Sequence, residues 1–288
     1  MKNIVLLHGG VGSDIGKLDG INKKLNLFAR ESANKGSALD SVLHAVKLME
    51  DDPDFNAGTG SKLRLDGSVQ MDASVMLDGK FGSVAAIERV RNPILIARDV
   101  MEKSPHICLC SDGAIKFARA LGYPEYDPIT NESLDRHKAM VNQIRNHGNE
   151  AENFLKFEKF TNVDAFLDGV VDTVGAVARV DGEFAGAIST GGSTFMLRGR
   201  VGAVPMPGAG IYVGKKGAVL TTGIGEEIAK RVLCYRVYSR IGEKSLLDIL
   251  DEEISYFNKN TAVGLIALSS DDYAHFANKG MGTGSCEF

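Results

Sequence analysis

Residues 172–190 read DTVGAVARVDGEFAGAIST. Small and apolar residues run from Val174 to Val180, Asp181-Gly182 is a two-residue hairpin signal, and Glu183 to Ser189 leads back. Strands joined this tightly run antiparallel, so an antiparallel pair is the starting point. Downstream, residues 217–222 read as a strand leading to a helix over about 226–240. Ser245-x-x-Asp248 caps a helix to about Phe257, and strands at 263–269 and 273–277 finish the chain. Upstream, residues 2–8 read as a first strand running into His8-Gly9-Gly10. Ser37, with Asp40 three residues on, caps a helix whose apolar face is Leu39, Val42, Leu43, Val46 and Met49. Pro53 follows where that helix has ended. Leu63 to Leu65 and Val69 to Met71 flank Asp66-Gly67, a second hairpin signal. Asn92-Pro93 opens a helix to about Glu102, residues 106–110 (HICLC) read as a strand, and Ser111-Asp112 begins a helix closed by Gly122. Consecutive hairpins call for antiparallel sheets, and grouped helices call for separate helical layers. An α+β, four-layer αββα sandwich satisfies both, although the pattern alone does not select it.

The 288 residues are 44% hydrophobic and 24% charged, ordinary values for a globular chain with a full core. The 33 basic and 37 acidic residues leave a net charge of -4, which gives no electrostatic reason to expect nucleic acid as a partner. A small anionic substrate needs only one local arginine. Cys108, Cys110, Cys234 and Cys286 form no C-x-x-C pair and no Cys/His cluster, so no zinc site is expected. Scattered cysteines and an N-terminus, MKNIVLLHGG, with too short an apolar run for a signal peptide fit a cytoplasmic protein. No apolar stretch approaches the ~18 residues of a membrane helix. From about residue 123 to 172 the composition turns polar and mixed-charge, with Pro124 and Pro128, which reads as a mobile, partly helical connector inside one domain spanning 1–288.

Chemistry concentrates between 172 and 226. DTVGAV, STGG and TTGIGE each centre on a threonine, and GRVG carries an arginine, all within those 55 residues. Singly each has a plain structural reading: threonine belongs in strands, Gly-Gly makes turns, and arginine between glycines sits in a solvated loop. Together they raise the question of how a threonine becomes a nucleophile. Its hydroxyl is weak at neutral pH and needs a base, and this segment contains no histidine. A threonine at a new N-terminus carries its own base, because a free α-amine has a pKa near ~7.7–8.0. Thr173 follows the polar connector and heads a strand that would anchor such a terminus. The cut needs no second enzyme: the Thr173 hydroxyl attacks the preceding carbonyl, and water opens the resulting ester.

Residues 1–122 and 173–288 resemble the isoaspartyl peptidase/plant-type L-asparaginase family of N-terminal-nucleophile hydrolases. The likeness runs through HGG at 8–10, GSALDSV at 36–42, FNAGTGS at 55–61, MDAS at 71–74, NPI at 92–94, VMEKSPH at 100–106 and the 172–226 segment. It implies the four-layer αββα fold and autocleavage between Asp172 and Thr173, giving an α chain of 1–172 and a β chain of 173–288. Thr173 would be the nucleophile and Thr190 its support, with the Thr222 hydroxyl and Gly223 N–H as the oxyanion hole. Arg200 would grip a substrate α-carboxylate, the Gly225 carbonyl would accept from the α-amine, and Asn56 would sit close to the nucleophile. The loop at 49–59 resembles the family's sodium loop. Met49, Glu50, Asp52, Phe55, Ala57 and Thr59 are its candidates through main-chain carbonyls, with side-chain identity of little account. The chemistry needs no cofactor. The implied partners are a small-molecule or dipeptide substrate and a second αβ unit in a homodimer.

One departure bears on substrate. Members that cleave asparagine or isoaspartyl dipeptides read GRVGD, where the aspartate holds the α-ammonium; this chain reads GRVGA, with Ala203 there. Loss of a charge partner weakens ammonium binding by a few kcal/mol, unless Glu226 or Glu227 substitutes. Three readings follow. The first is a self-processing amidohydrolase for β-aspartyl amide bonds in isoaspartyl dipeptides and L-asparagine. The second keeps the nucleophile and changes the substrate, as a taspase-like threonine protease or another β-aspartyl amidase. The third is an unprocessed, non-catalytic binding protein.

Overall fold

A computed structural model describes residues 2–12, 15–146, 155 and 173–288. The strands are β1 (Ile4–Val11), β2 (Met71–Leu77), β3 (Lys80–Ile87), β4 (Cys108–Cys110), β5 (Val174–Val180), β6 (Glu183–Thr190), β7 (Ile211–Gly214), β8 (Gly217–Gly223), β9 (Val263–Ser269), β10 (Tyr273–Ala277) and β11 (Met281–Glu287). The helices are α1 (Leu18–Ser32), α2 (Ala38–Asp51), α3 (Pro93–Lys103), α4 (Ser111–Ala120), α5 (Asn131–Arg145), α6 (Gly225–Arg231), α7 (Leu233–Ser239) and α8 (Leu246–Ser255). Seven strands form one sheet in the order β11-β1-β5-β6-β2-β3-β4, and four form another in the order β10-β9-β8-β7. Every neighbouring pair is antiparallel except β3 with β4.

Strand periodicity explains how the two sheets are held. Alternate residues of a strand face opposite sides, and here both sides are buried. In β1, Val5 and Leu7 pack with Leu25 of α1, Val42 and Val46 of α2, and Ile94 and Val100 of α3. The intervening Ile4 and Leu6 pack instead with Val177, Ile188, Leu220, Ile266 and Leu268, a core shared by both sheets. In β9, Val263, Leu265 and Ala267 turn the other way, onto Ile228, Leu233, Val237, Ile249 and Leu250 of α6 to α8. Such strands read as nearly continuous apolar runs because neither face meets water. At about 25 cal/mol per Å2 of apolar surface removed from water, these side chains supply most of the drive to fold.

The hairpin over 174–190 forms as read, with Val180 opposite Glu183 and Val174 opposite Ser189. Ser37 caps α2 by accepting from the Asp40 N–H at 3.0 Å. Several expectations are corrected. Leu63–Leu65 and residues 69–70 form no strand, and Met71 instead opens β2; the Asp66-Gly67 turn survives in irregular chain, closed by Arg64 N–H to the Ser68 carbonyl at 2.8 Å. The hairpin in that region is β2–β3, turned at Asp78-Gly79. Residues 106–107 lie outside β4, and Cys108 and Cys110 are exposed because β4 is an edge strand. The helix expected over 226–240 breaks at Val232, where φ is +50°. In the region read as a connector, Thr130 and Ser133 form a reciprocal capping box at the start of α5, and Ile144 packs with Leu65 and Phe195. Residues 147–154 and 156–172 of that region, Asp172 among them, lie outside the described residues.

Candidate active site

Thr173 stands immediately before β5, in the middle of the larger sheet, and is buried. Thr190 ends β6, the strand paired with β5, so the hairpin register brings the two hydroxyls together. Thr173 Oγ1 donates to Thr190 Oγ1 at 3.3 Å, and Thr190 Oγ1 also accepts from the Gly192 N–H at 2.9 Å. Thr222 and Gly223 arrive from the other sheet, at the end of β8. Thr222 is buried, and its Oγ1 accepts from the Val11 N–H at 3.3 Å, which fixes the hydroxyl against the end of β1.

These residues line one cavity of about 350 Å3, together with Gly192, Ser193, Arg200, Gly202, Ala203 and Gly225. Asn56 is absent from the lining and acts from behind it. Its Nδ2 donates to the Gly192 carbonyl at 2.5 Å, and its own carbonyl accepts from the Gly191 N–H at 2.9 Å. Asn56 thus clamps the turn that follows Thr190. Ala203 is a buried part of the wall.

Arg200 is engaged on one edge. Nε donates to Glu226 Oε1 at 2.7 Å and Nη2 to Oε2 at 2.6 Å, a fork-to-fork pair. Burial raises the Glu226 pKa, but the Arg200 hydrogen bonds outweigh it and leave the carboxyl below its ordinary value. Glu227 pairs with Lys230 at 2.6 Å. Both acids named as stand-ins for the missing aspartate therefore have cationic partners already.

Sequence reasoning found no histidine near Thr173, and the structure supplies one. His8, at the HGG end of β1, lies opposite Gly175 in the β1–β5 ladder, with its ring against the Thr173 main chain. It is fully buried, and burial pushes its pKa down to about 3 against the raising effect of that main chain. Among the described residues neither ring nitrogen makes a well-formed hydrogen bond. His8 is thus a neutral packing group beside Thr173 with no bond to its hydroxyl. The HGG motif was visible, but a strand pairing across 165 positions joins it to Thr173.

The loop after α2 is built around main-chain oxygens. Side chains at Gly58 or Gly60 would collide with the carbonyls of Glu50, and of Phe55 and Pro53, respectively. Three carbonyl oxygens crowded around two bare glycines suit a hard cation, which prefers oxygen ligands. Met49, in the last turn of α2, and Phe55 and Ala57, in the loop, are buried in the core. Asp52 pairs with Lys24 at 2.8 Å, and the Thr59 hydroxyl meets the Tyr126 hydroxyl at 3.0 Å. Glu50 departs from the expectation that side chains here count for little. Its carboxyl is fully buried, accepts from Ser189 Oγ at 2.7 Å and from the Ile94 N–H at 3.1 Å, and is pushed by burial up to about 8. It ties α2 and α3 to the residue before Thr190. Among the described residues, no group of three or more His, Cys, Asp or Glu side chains could hold a metal ion, which leaves a site made of carbonyls untouched.

A buried threonine heading a central strand, with further hydroxyls and an arginine around one cavity, is the arrangement of N-terminal-nucleophile hydrolases. The chain belongs to the asparaginase family, whose profile matches residues 1–284. It is 38% identical to the plant-type L-asparaginase of Pyrococcus furiosus, covering 95% of this chain and 92% of that one. It is 39% identical to the isoaspartyl peptidase/L-asparaginase of Homo sapiens, over 93% and 87% of the two chains. With the protein of the same description from Danio rerio it shares 41% identity, over 81% and 74%.

Proposed function

We propose that this protein is a self-processing threonine amidohydrolase that cleaves β-aspartyl amide bonds, in isoaspartyl dipeptides and L-asparagine, and releases aspartate. The observation that carries the reading is the meeting of Thr173, Thr190, Thr222, Gly223 and Arg200 in one cavity. In this reading the Thr173 hydroxyl first attacks the Asp172 carbonyl, the peptide nitrogen becomes the free α-amine of Thr173, and water hydrolyses the ester. In turnover that amine takes the hydroxyl proton as Oγ1 attacks the substrate's side-chain carbonyl. The amide nitrogen leaves with a proton as ammonia or an amino acid, and water releases aspartate from the acyl-enzyme. Thr222 and Gly223 donate to the oxyanion, a contribution typically worth ~10²–10³ in rate per donor. With Nε and Nη2 of Arg200 held by Glu226, the outer edge of the guanidinium is left for the substrate carboxylate, and the Gly225 carbonyl takes the ammonium.

The three apolar clusters support the four-layer αββα description, with helices outside both sheets. The loop at 49–59 would hold a sodium ion through carbonyls such as those of Glu50 and Phe55, as a structural element outside the chemistry. The homodimer of αβ units and the cytoplasmic setting belong to the same reading; among the described residues no helix is long and apolar enough to cross a membrane. Ala203 in the wall favours one second reading, the same nucleophile acting on an acyl group without an ammonium. Hydrolysis of L-asparagine and a β-aspartyl dipeptide, beside L-glutamine and an α-aspartyl dipeptide, followed as the ammonia or amino acid released, tests the two. Release from the β-linked pair alone is expected; inactivity on both by a cleaved protein would favour the second reading.

A further inference from the structure

Behind the cavity wall lie two charges that the proposed chemistry does not use. Arg64 is completely buried. Its Nη2 donates to the Gln70 carbonyl at 2.9 Å, while Nε and Nη1 have no acceptor among the described residues. Asp72, also buried, accepts from the Ala86 N–H at 2.8 Å and the Gly202 N–H at 3.3 Å. Burial pulls the Arg64 pKa down to about 10, opposed by the charge of Asp72. Idle donors on a buried guanidinium are costly, so an acceptor of negative charge would be strongly favoured there.

The position of these donors says which acceptor. Arg64 Nη1 lies 3.3 Å from where a Gly192 Cβ would stand, and Gly192 lines the cavity. Gly192 itself puts no side chain between the cavity and the cation; the Met196 methyl fills the place where that Cβ would stand. Met196 shares that space and is only partly buried; its flexible thioether can turn aside. Ser61 adds a buried hydroxyl without a partner, and its Cβ lies 2.5 Å from where a Gly191 Cβ would stand. Ser61 also lines a second cleft of about 280 Å3 with Lys62, His137 and Thr194. Idle polar groups thus gather along the Gly191-Gly192 turn, next to Thr190.

We propose that Arg64, assisted by Ser61, recognises the carboxylate of the leaving amino acid when the substrate is a β-aspartyl peptide. The proposal rests on the reading of the site given above. Arg200 holds the aspartyl end, so the leaving group extends along the remaining lining from Thr190 to Ser193. An amino acid leaving from a dipeptide carries a carboxylate to that side; ammonia leaving from asparagine carries none. Arg64 is therefore a specificity residue that favours peptides over the free amide.

The test is steady-state kinetics with L-asparagine, β-aspartyl-leucine and β-aspartyl-leucine amide. In the wild type, capping the carboxylate as the amide lowers kcat/KM by about 10- to 100-fold, the worth of one hydrogen bond to a charged group. In Arg64→Met the ratio of kcat/KM for β-aspartyl-leucine to that for asparagine falls by the same factor. Equal wild-type rates on the free acid and its amide would overturn the proposal without any variant, so a misfolded Arg64→Met leaves it decidable. An unchanged ratio in a folded Arg64→Met would overturn it too. Wild-type inactivity on all three substrates is a separate outcome, which removes the β-aspartyl reading and this proposal with it.

Discussion

Replacing Thr222 with valine separates the catalytic from the structural work of one hydroxyl. Valine matches threonine in shape, and Thr222 is buried, so the change removes the hydroxyl and leaves the volume. Structurally the loss is one acceptor, for the Val11 N–H at 3.3 Å. That distance is at the long end for N–H···O, so the bond is weak and its loss costs about 1 kcal/mol. For a chain of this size, about 1 kcal/mol lowers Tm by about 2 °C. Catalytically the same atom is assigned to the oxyanion, where the loss is ~10²–10³ in kcat, about 2.7–4 kcal/mol. The two figures differ enough to be told apart. The assay is aspartate release by fully cleaved protein, with kcat and KM resolved, beside a thermal melt. A fall in kcat of about 100-fold or more with Tm nearly unchanged is expected. Self-cleavage should slow as well, because attack on the Asp172 carbonyl builds the same kind of oxyanion. A kcat within about threefold of wild type would refute the assignment, as would a loss of activity that merely tracks a loss of folded protein.

Two further outcomes follow from the same geometry. Arg200→Lys keeps the charge but loses the planar fork shared with Glu226, so KM for aspartyl substrates should rise by about tenfold or more with a smaller change in kcat; a change confined to kcat would contradict a carboxylate-binding role. Glu50 has its folded pKa raised to about 8 by burial. Its contribution is therefore fully present below about pH 4.5 and is lost as pH rises toward 8, since the unfolded chain ionises first. Glu50→Gln should gain stability over wild type between pH 5 and pH 8 in urea melts, and a pH-independent difference would show that the carboxyl is already ionised in the fold.

The central hairpin was legible because three signals agreed there: apolar strands, a two-residue turn and a polar lead-in. Strand β11 was missed because MGTGSCE carries two glycines and little apolar mass. The reason lies in packing, since a side chain at Gly284 would run into the backbone of α1 at Leu25. The break at Val232 was hidden because valine rarely adopts a positive φ. In the site, the threonines and Arg200 were readable as motifs and do share a cavity, whereas the partners that tune them were not. Glu226 lies 26 positions from Arg200, His8 reaches Thr173 across a ladder, and Glu50 meets Ser189 through the core. Arg64 gave no signal at all in a loop that read as a hairpin strand; only its burial and its idle donors mark it.

The central claim is that Thr173 becomes a free N-terminus, and intact mass spectrometry of the purified protein over several days of incubation tests it most directly. Conversion of the 30.9 kDa chain into two fragments, 1–172 and 173–288, with Thr173→Ala remaining whole and inactive, is the predicted result. A wild-type chain that stays single while hydrolysing substrate, or a Thr173→Ala chain that is still cut at that bond, would contradict the account.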